Sequence, residues 1–461
     1  MEKKIPAPAP GENKMGVLPV GKLLANMAIP MMISMLFQAL YNVVDSYFVG
    51  MLSQDAFNAV SLAFPLQSLM IALCGGTGVG MNALLSRSLG EKKQEAADRA
   101  ANTGIFLFVC SALIFAVIGI TVSRPFFLAQ TQNMAIVDYG TDYTMICLGL
   151  SIGVFSQFCM ERLLQSTGRT NFSMITQLTG AIINIIMDPI MIFGLFGFPR
   201  MEVAGAALAT VLGQIVAAMM GLYFNMKHNP DIHISLKRMR WHGPTAKEIY
   251  RVGIPSIIMQ SIGSVMTFSL NQILIAFTEA ATAVFGAYFK LQSFIFMPIF
   301  GLNNGMVPIV SYNFGAARMD RVRHTVKLTV IVSVAIMSVG TILFETVPAM
   351  LLGIFTPSAE MLSIGTTALR IIGVHFPLAG FCIIAGSVCQ ALGKPVYSLI
   401  NSVCRQLVVL IPAAWLLAQT GNLTLVWFAF PIAELMSLLL STIFLRRTLR
   451  AADEHIARNQ T

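Results

Sequence analysis

Residues 22–50 read KLLANMAIPMMISMLFQALYNVVDSYFVG, and the fold follows from them. The run is long enough to cross a bilayer, which takes about 20 apolar residues as a helix. It nevertheless carries an acid, Asp45, that no basic neighbour neutralises. A carboxylate at the centre of a membrane helix costs about 2.5–3.5 kcal/mol on insertion scales, and such residues are kept for a purpose. Gln38, Tyr41, Asn42 and Asp45 stand at i, i+3, i+4 and i+7, so they share one helical face.

The rest of the chain has the same character. Of its 461 residues 56% are hydrophobic and only 11% charged, against about 25% charged in ordinary globular proteins. Mean hydropathy is +0.74. These values define a polytopic membrane protein. The net charge of +9 belongs to the flanks of membrane helices rather than to a nucleic-acid surface. The seven cysteines all lie in apolar segments with no CxxC pair, and read as small buried hydrophobes. Residues 1–21 are polar and Pro-rich, as in a flexible tail rather than a cleavable signal peptide.

Twelve apolar runs fall near 22–49, 56–86, 100–122, 137–160, 173–196, 203–226, 249–276, 282–311, 325–345, 360–390, 397–419 and 424–445. With the N-terminus in the cytoplasm, 25 of the 30 Lys and Arg fall on the inner side, Arg162 and Arg169 among them. Arg124 and Arg200 fall outside, and Lys290, Arg370 and Arg405 lie within spans. A miscounted helix would mix the two sets, so the count of twelve with both termini inside is self-consistent.

An internal repeat runs through the chain. An offset of 225 pairs Pro30 with Pro255, Leu66-Gln67-Ser68 with Leu291-Gln292-Ser293, Gly76 with Gly301, Gly80 with Gly305, Gly90 with Gly315, and Gln165-x-x-Gly168 with Gln390-x-x-Gly393. Six spans per repeat insert both halves the same way up, as in transporters built from parallel repeats. The expected fold is all-α: two pseudo-symmetric six-helix bundles. A flexible cytoplasmic tail covers 1–21, an N-lobe 22–226, a cytoplasmic linker 227–248, a C-lobe 249–445 and a second cytoplasmic tail 446–461.

Near-matches to nucleotide motifs fail. Gly16, Gly21 and Lys22 have P-loop spacing, but Leu23 replaces the hydroxyl. Nothing reads as an ATP site, so active transport must use an ion gradient. Gly76-x3-Gly80 and Gly301-x3-Gly305 suit close helix packing or a hinge.

The intramembrane charges carry the functional signal. Gln177, Asn184 and Asp188 share a face of the fifth span, and Asp188 lies at a depth similar to Asp45. At offset 225, Asp45 becomes Leu270, Asn184 becomes Val409 and Asp188 becomes Ala413. Packing residues would recur in both lobes; a specialised ion site needs only one. The C-lobe has Lys290, Arg370, Arg405 and Glu434 instead. Arg405 and Glu434 are expected to pair, Lys290 to face the cleft or pair with an acid, and His375 to be a core residue. Gln38, Asn42, Gln177 and Lys290 are candidate cleft residues.

The stretches AIPMMISMLFQALYNVVDSYFVG, INIIMDPIMIFG, GAALAT and the repeated LQS…G…G…S, with 6+6 topology, resemble the multidrug and toxic compound extrusion (MATE) family over roughly residues 20–445. The resemblance implies a V-shaped pair of bundles and cation-coupled export of amphipathic cationic drugs. It matches Asp45, Tyr41, Asn184, Asp188 and Thr210 to an N-lobe site for H+ or Na+, with Asp45, Asn184, Asp188 and Thr210 as Na+ ligands. A second branch of the family has acids in the seventh and tenth helices, where this chain has Gly263 and Ala379. The expected protein is thus a secondary antiporter, not an enzyme. It would need no cofactor beyond the coupling ion, and would act as a monomer in the bacterial inner membrane on organic cations, without nucleic acid. Protonation would let the first helix bend at Pro30. A flippase for lipid-linked glycans, with a basic cavity, is the alternative in transport; a membrane-embedded receptor or enzyme is a remoter one.

Overall fold

The computed structural model describes residues 13–355 and 357–460. The outer part of the expected N-terminal tail, 1–12, lies outside them with Lys3 and Lys4, as does Thr461. The described residues are helical, without strands.

The spans in order are Val20–Gly50, Gln54–Gly90, Gln94–Leu128, a bent pair Met134–Gly149 and Ile152–Ser166, Thr170–Phe193, Glu202–Lys227, Gly243–Ile275, Glu279–Gly315, Met319–Thr346, a bent pair Ala359–Gly373 and Phe376–Ala391, Pro395–Ala418 and Ala429–Gln460. Counting each bent pair as one gives the expected twelve. The bends, 43° in the fourth span and 49° in the tenth, fall at the same repeat position.

Local chemistry repeats at the same offset. Ser53 caps the second span by accepting from the Ala56 amide, and its twin Thr278 caps the eighth by accepting from Ala280. Each satisfies an amide that the first helical turn leaves open. The turns after the fourth and tenth spans both need a left-handed residue, and Gly168 (φ 82°) and Gly393 (φ 76°) provide it. Pro30 has no N–H, so the Asn26 carbonyl loses its helical partner. The Thr170 hydroxyl donates to that carbonyl at 3.3 Å, tying the first span to the fifth.

The repeat also builds the seam between lobes. A methyl group on Gly76 would meet Ile257 and the Gly253 carbonyl, while one on its twin Gly301 would meet Met32 and Met31. On Gly80 it would lie 2.1 Å from the Ile249 carbonyl oxygen, and on Gly305 2.7 Å from Ala28. A methyl group on Gly90 would lie 2.0 Å from the Tyr312 carbonyl oxygen, and one on Gly315 2.2 Å from that of Arg87. The residues on each side are themselves register twins, so the second span grips the seventh as the eighth grips the first. The small-residue motif is therefore a packing device at the lobe interface.

One expectation is corrected at this seam. Residues 13–21, read as flexible tail, are folded: Lys14–Val17 form a short helix, and Met15 is fully buried. Met15, Leu23, Leu24, Met27 and Ala28 join the apolar core of the C-lobe, whereas Val49 at the far end of the same span belongs to that of the N-lobe.

Candidate functional site

The first and fifth spans hold their acids at equal depth, five residues before the last helical residue of each. Asp188 is fully buried and Asn184 is buried beside it. The Asn184 amide donates to Asp188 Oδ1 at 3.3 Å and to Thr210 Oγ1 of the sixth span at 3.1 Å. Asp45 is half-buried and lies close enough to Asp188 for their charges to interact. Three of the five residues matched by resemblance are thus hydrogen-bonded together, Asp45 lies within electrostatic range of Asp188, and Tyr41 within range of both acids.

Three oxygens of this cluster are buried without a hydrogen-bond partner: Asp45 Oδ1, Asp188 Oδ2 and Asn184 Oδ1. Orphaned acceptors on two carboxylates are costly unless a proton or a cation meets them. The donor set is all oxygen, which suits a hard monovalent cation as well as a proton. Among the described residues no group of three or more His, Cys, Asp and Glu could hold a metal ion.

A cavity of about 100 Å³ opens beside the cluster, bounded there by Tyr41, Asn184 and Thr210 and by Gln38 of the first span. Its other end is a polar group that the sequence reading passed over. Glu161 is buried and accepts from Gln157 at 2.9 Å and from Gln177 at 2.6 Å. Arg162 donates to Gln165 at 2.9 Å and across the lobe boundary to Asn304 at 3.0 Å. The sequence puts Arg162 on the inner flank because the fourth apolar run fades at residue 160. The helix continues to Ser166, and its second arm turns this pair inward. Gln67, in the repeated Leu-Gln-Ser motif, donates to buried Tyr143 at 3.1 Å, and Tyr143 is within electrostatic range of Asp45.

The other candidates separate. Gln38 and Gln177 line the cavity, whereas Asn42 is exposed and does not. Lys290 is exposed, with its ammonium 5.8 Å from the centre of the Phe355 ring; it is in no ion pair among the described residues and is not a cavity wall. Arg370 is exposed and donates to the Glu345 carbonyl at 3.2 Å. His375 is a core residue, buried at the bend of the tenth span and stacked on Phe430. Arg405 and Glu434 pair at 3.4 Å.

Two six-helix bundles, a glycine seam between them and a polar cavity inside one define a multi-pass membrane transporter. The chain belongs to the MatE family, whose profile matches it twice, over residues 30–190 and 255–416, one match per repeat. It is 27% identical over 414 residues to the multidrug export protein MepA of Staphylococcus haemolyticus, covering 90% of each chain. A MepA from Staphylococcus aureus is also 27% identical, over 420 residues, covering 90% of this chain and 91% of that one. Among solved structures, a MOP superfamily transporter from Pyrococcus furiosus superposes with a TM-score of 0.89 at 24% identity, covering 95% of this chain and 98% of that one. A MATE structure in a bent conformation gives 0.88 at 25% identity, covering 95% and 97%.

Proposed function

We propose that this protein is a cation-coupled antiporter that exports amphipathic organic cations by alternating access between its lobes. The observation that carries the reading is a cavity with Tyr41, Asn184 and Thr210 of the Asp45–Asp188 cluster at one end and buried Glu161 at the other, while each of the two aspartates keeps a buried oxygen without a partner. H+ or Na+ binds Asp45 and Asp188 with Asn184 and Thr210, and Tyr41 bridges to the cavity. Binding of the ion neutralises buried charge, and its different affinity in the two lobe arrangements drives the exchange. The relatives named for multidrug export support the cargo class. A buried carboxylate with two amide donors, as at Glu161, suits a cationic and partly polar substrate.

In this reading the protein works as a monomer in the bacterial inner membrane with both termini in the cytoplasm. The flippase alternative called for a basic cavity, and the C-lobe cations Lys290 and Arg370 lie away from this one. Ethidium accumulation in cells with and without the protein, under a collapsed proton or sodium gradient, tests the proposal and identifies the ion. Wild-type export by a folded Asp188→Asn or Asp45→Asn variant would refute the site.

A further inference from the structure

We infer that residues Asn13–Leu18 form a strap across the inner ends of both lobes, which holds them together and must leave its seat before they part. The inference rests on the alternating-access reading for its purpose, but not for its geometry.

The strap touches both lobes. On the N-lobe side the Asn13 amide donates to the Thr167 carbonyl at 3.0 Å, in the turn between the fourth and fifth spans. On the C-lobe side three residues converge on its carbonyl groups. Arg321 donates to Met15 at 3.1 Å and to Leu18 at 2.6 Å, Arg318 to Gly16 at 2.5 Å, and Asn313 to Met15 at 3.2 Å. Arg321 itself donates to the side-chain Oδ1 of Asn313 at 2.9 Å. A helix of four residues cannot satisfy its own carbonyls, and two guanidinium groups do so with charge-assisted bonds. Met15 then sits as a fully buried plug in the C-lobe core.

The seat lies at the tightest crossing of the seam. Gly16 packs on the Tyr312 ring, where an added methyl group would lie 3.1 Å from it, and the carbonyl oxygen of that same Tyr312 is the atom that a methyl group on Gly90 of the other lobe would meet at 2.0 Å. Separating the inner ends therefore pulls the strap from one side.

The repeat does not explain it. The register twins of Asn313, Arg318 and Arg321 are Ser88, Lys93 and Ala96, so the N-lobe has no matching seat and the strap breaks the symmetry of the seam. It also contains a built-in reason to leave. Burial holds the Lys14 ammonium below its ordinary pKa, the Arg169 charge adds to that and Asp231 opposes it. Docking a lysine there has a cost that release returns.

Spin labels at Glu95→Cys and His324→Cys, both exposed and outside the strap contacts, report the distance between the inner ends of the two lobes. They are placed in the full chain with its seven native cysteines replaced. Asn13→Ala frees the strap from one lobe, Arg321→Ala from the other, and Met15→Asp removes the plug. Arg321→Ala and Met15→Asp are expected to raise the population of widely separated inner ends roughly tenfold or more and Asn13→Ala about fivefold, as loss of a bond to a charged group, burial of a carboxylate and loss of a neutral bond predict. Arg321→Lys should restore part of the effect. Arg323→Ala, whose partner Asp453 is in the same lobe, should change nothing. An unchanged distance distribution in Asn13→Ala and Arg321→Ala variants that melt like the parent overturns the strap. The distances are read without substrate or gradient. Labels that respond in a protein that exports no cation would therefore overturn the transport reading and leave the strap standing.

Discussion

The two lobes face the same packing problem at the same register and solve it differently. In the N-lobe, Gly180 of the fifth span comes within 3.1 Å, as a methyl would, of the Gly213 carbonyl of the sixth, and Ala209 is fully buried nearby. At offset 225 these positions are Arg405 and Glu434. The C-lobe fills the same helix–helix joint with an ion pair at 3.4 Å, and the eleventh span widens into a π-helix over Cys404–Leu410 to carry it. Asp45 and Asp188 of the N-lobe are left with open oxygens beside a cavity and face no cation; Glu434 of the C-lobe also keeps Oε1 unpartnered, but its Oε2 is answered by an arginine. Equal scaffolds can thus spend a buried charge on binding or on cohesion, and whether a cation already stands opposite the carboxylate separates the two uses.

That contrast can be broken from either side. The largest effect is expected from Arg405→Ala, which leaves Glu434 buried and alone. Such a change costs about 3–5 kcal/mol, read as a fall in melting temperature in detergent, and the Arg405→Ala, Glu434→Ala pair should recover much of the loss. Asp188→Asn should leave melting nearly unchanged and reduce export by about a hundredfold, near the upper end of typical coupling free energies, measured in proteoliposomes with an imposed ion gradient. Gly80→Ala and Gly305→Ala test the shared scaffold. Each forces backbone apart at the seam and should destabilise by about 1–3 kcal/mol, by similar amounts because the contacts are twins. Thr210→Val is the mildest. Asn184 loses one acceptor, worth about 1 kcal/mol, and the ion concentration for half-maximal export should rise roughly fivefold.

The repeat offset made most of the architecture legible. One number places the caps Ser53 and Thr278, the bends, the left-handed glycines and the seam. The acids Asp45 and Asp188 could be read as a pair because each is a lone charge in an apolar run. Glu161 and Arg162 escaped because they sit where hydropathy fades, which in a straight helix would mean the membrane edge. The 43° bend sends the second arm inward instead, and tertiary geometry decides that, not composition. Lys290 misled for the opposite reason: its position in the span suggested the cleft, but orientation around the helix leaves it exposed beside Phe355. Residues 13–21 looked like tail because a four-residue helix has no periodic signal, and its stability comes from Asn313, Arg318 and Arg321, some 300 residues away.

The linker limits how far the lobes can travel. Its first part is stapled to the N-lobe: His233 and Ser235 amides donate to Asp98 and Asn102 of the third span, Arg238 pairs with Asp98 at 3.4 Å, and Ile232 is buried in the N-lobe core. Met239 packs on the same core, and the seventh span begins at Gly243. The free leash is therefore the run from Met239 to Gly243, which reaches about 14 Å when fully extended. So short a tether keeps the halves at high effective concentration. It also bounds any separation of the lobes, because a wider one would first have to strip the linker from the third span.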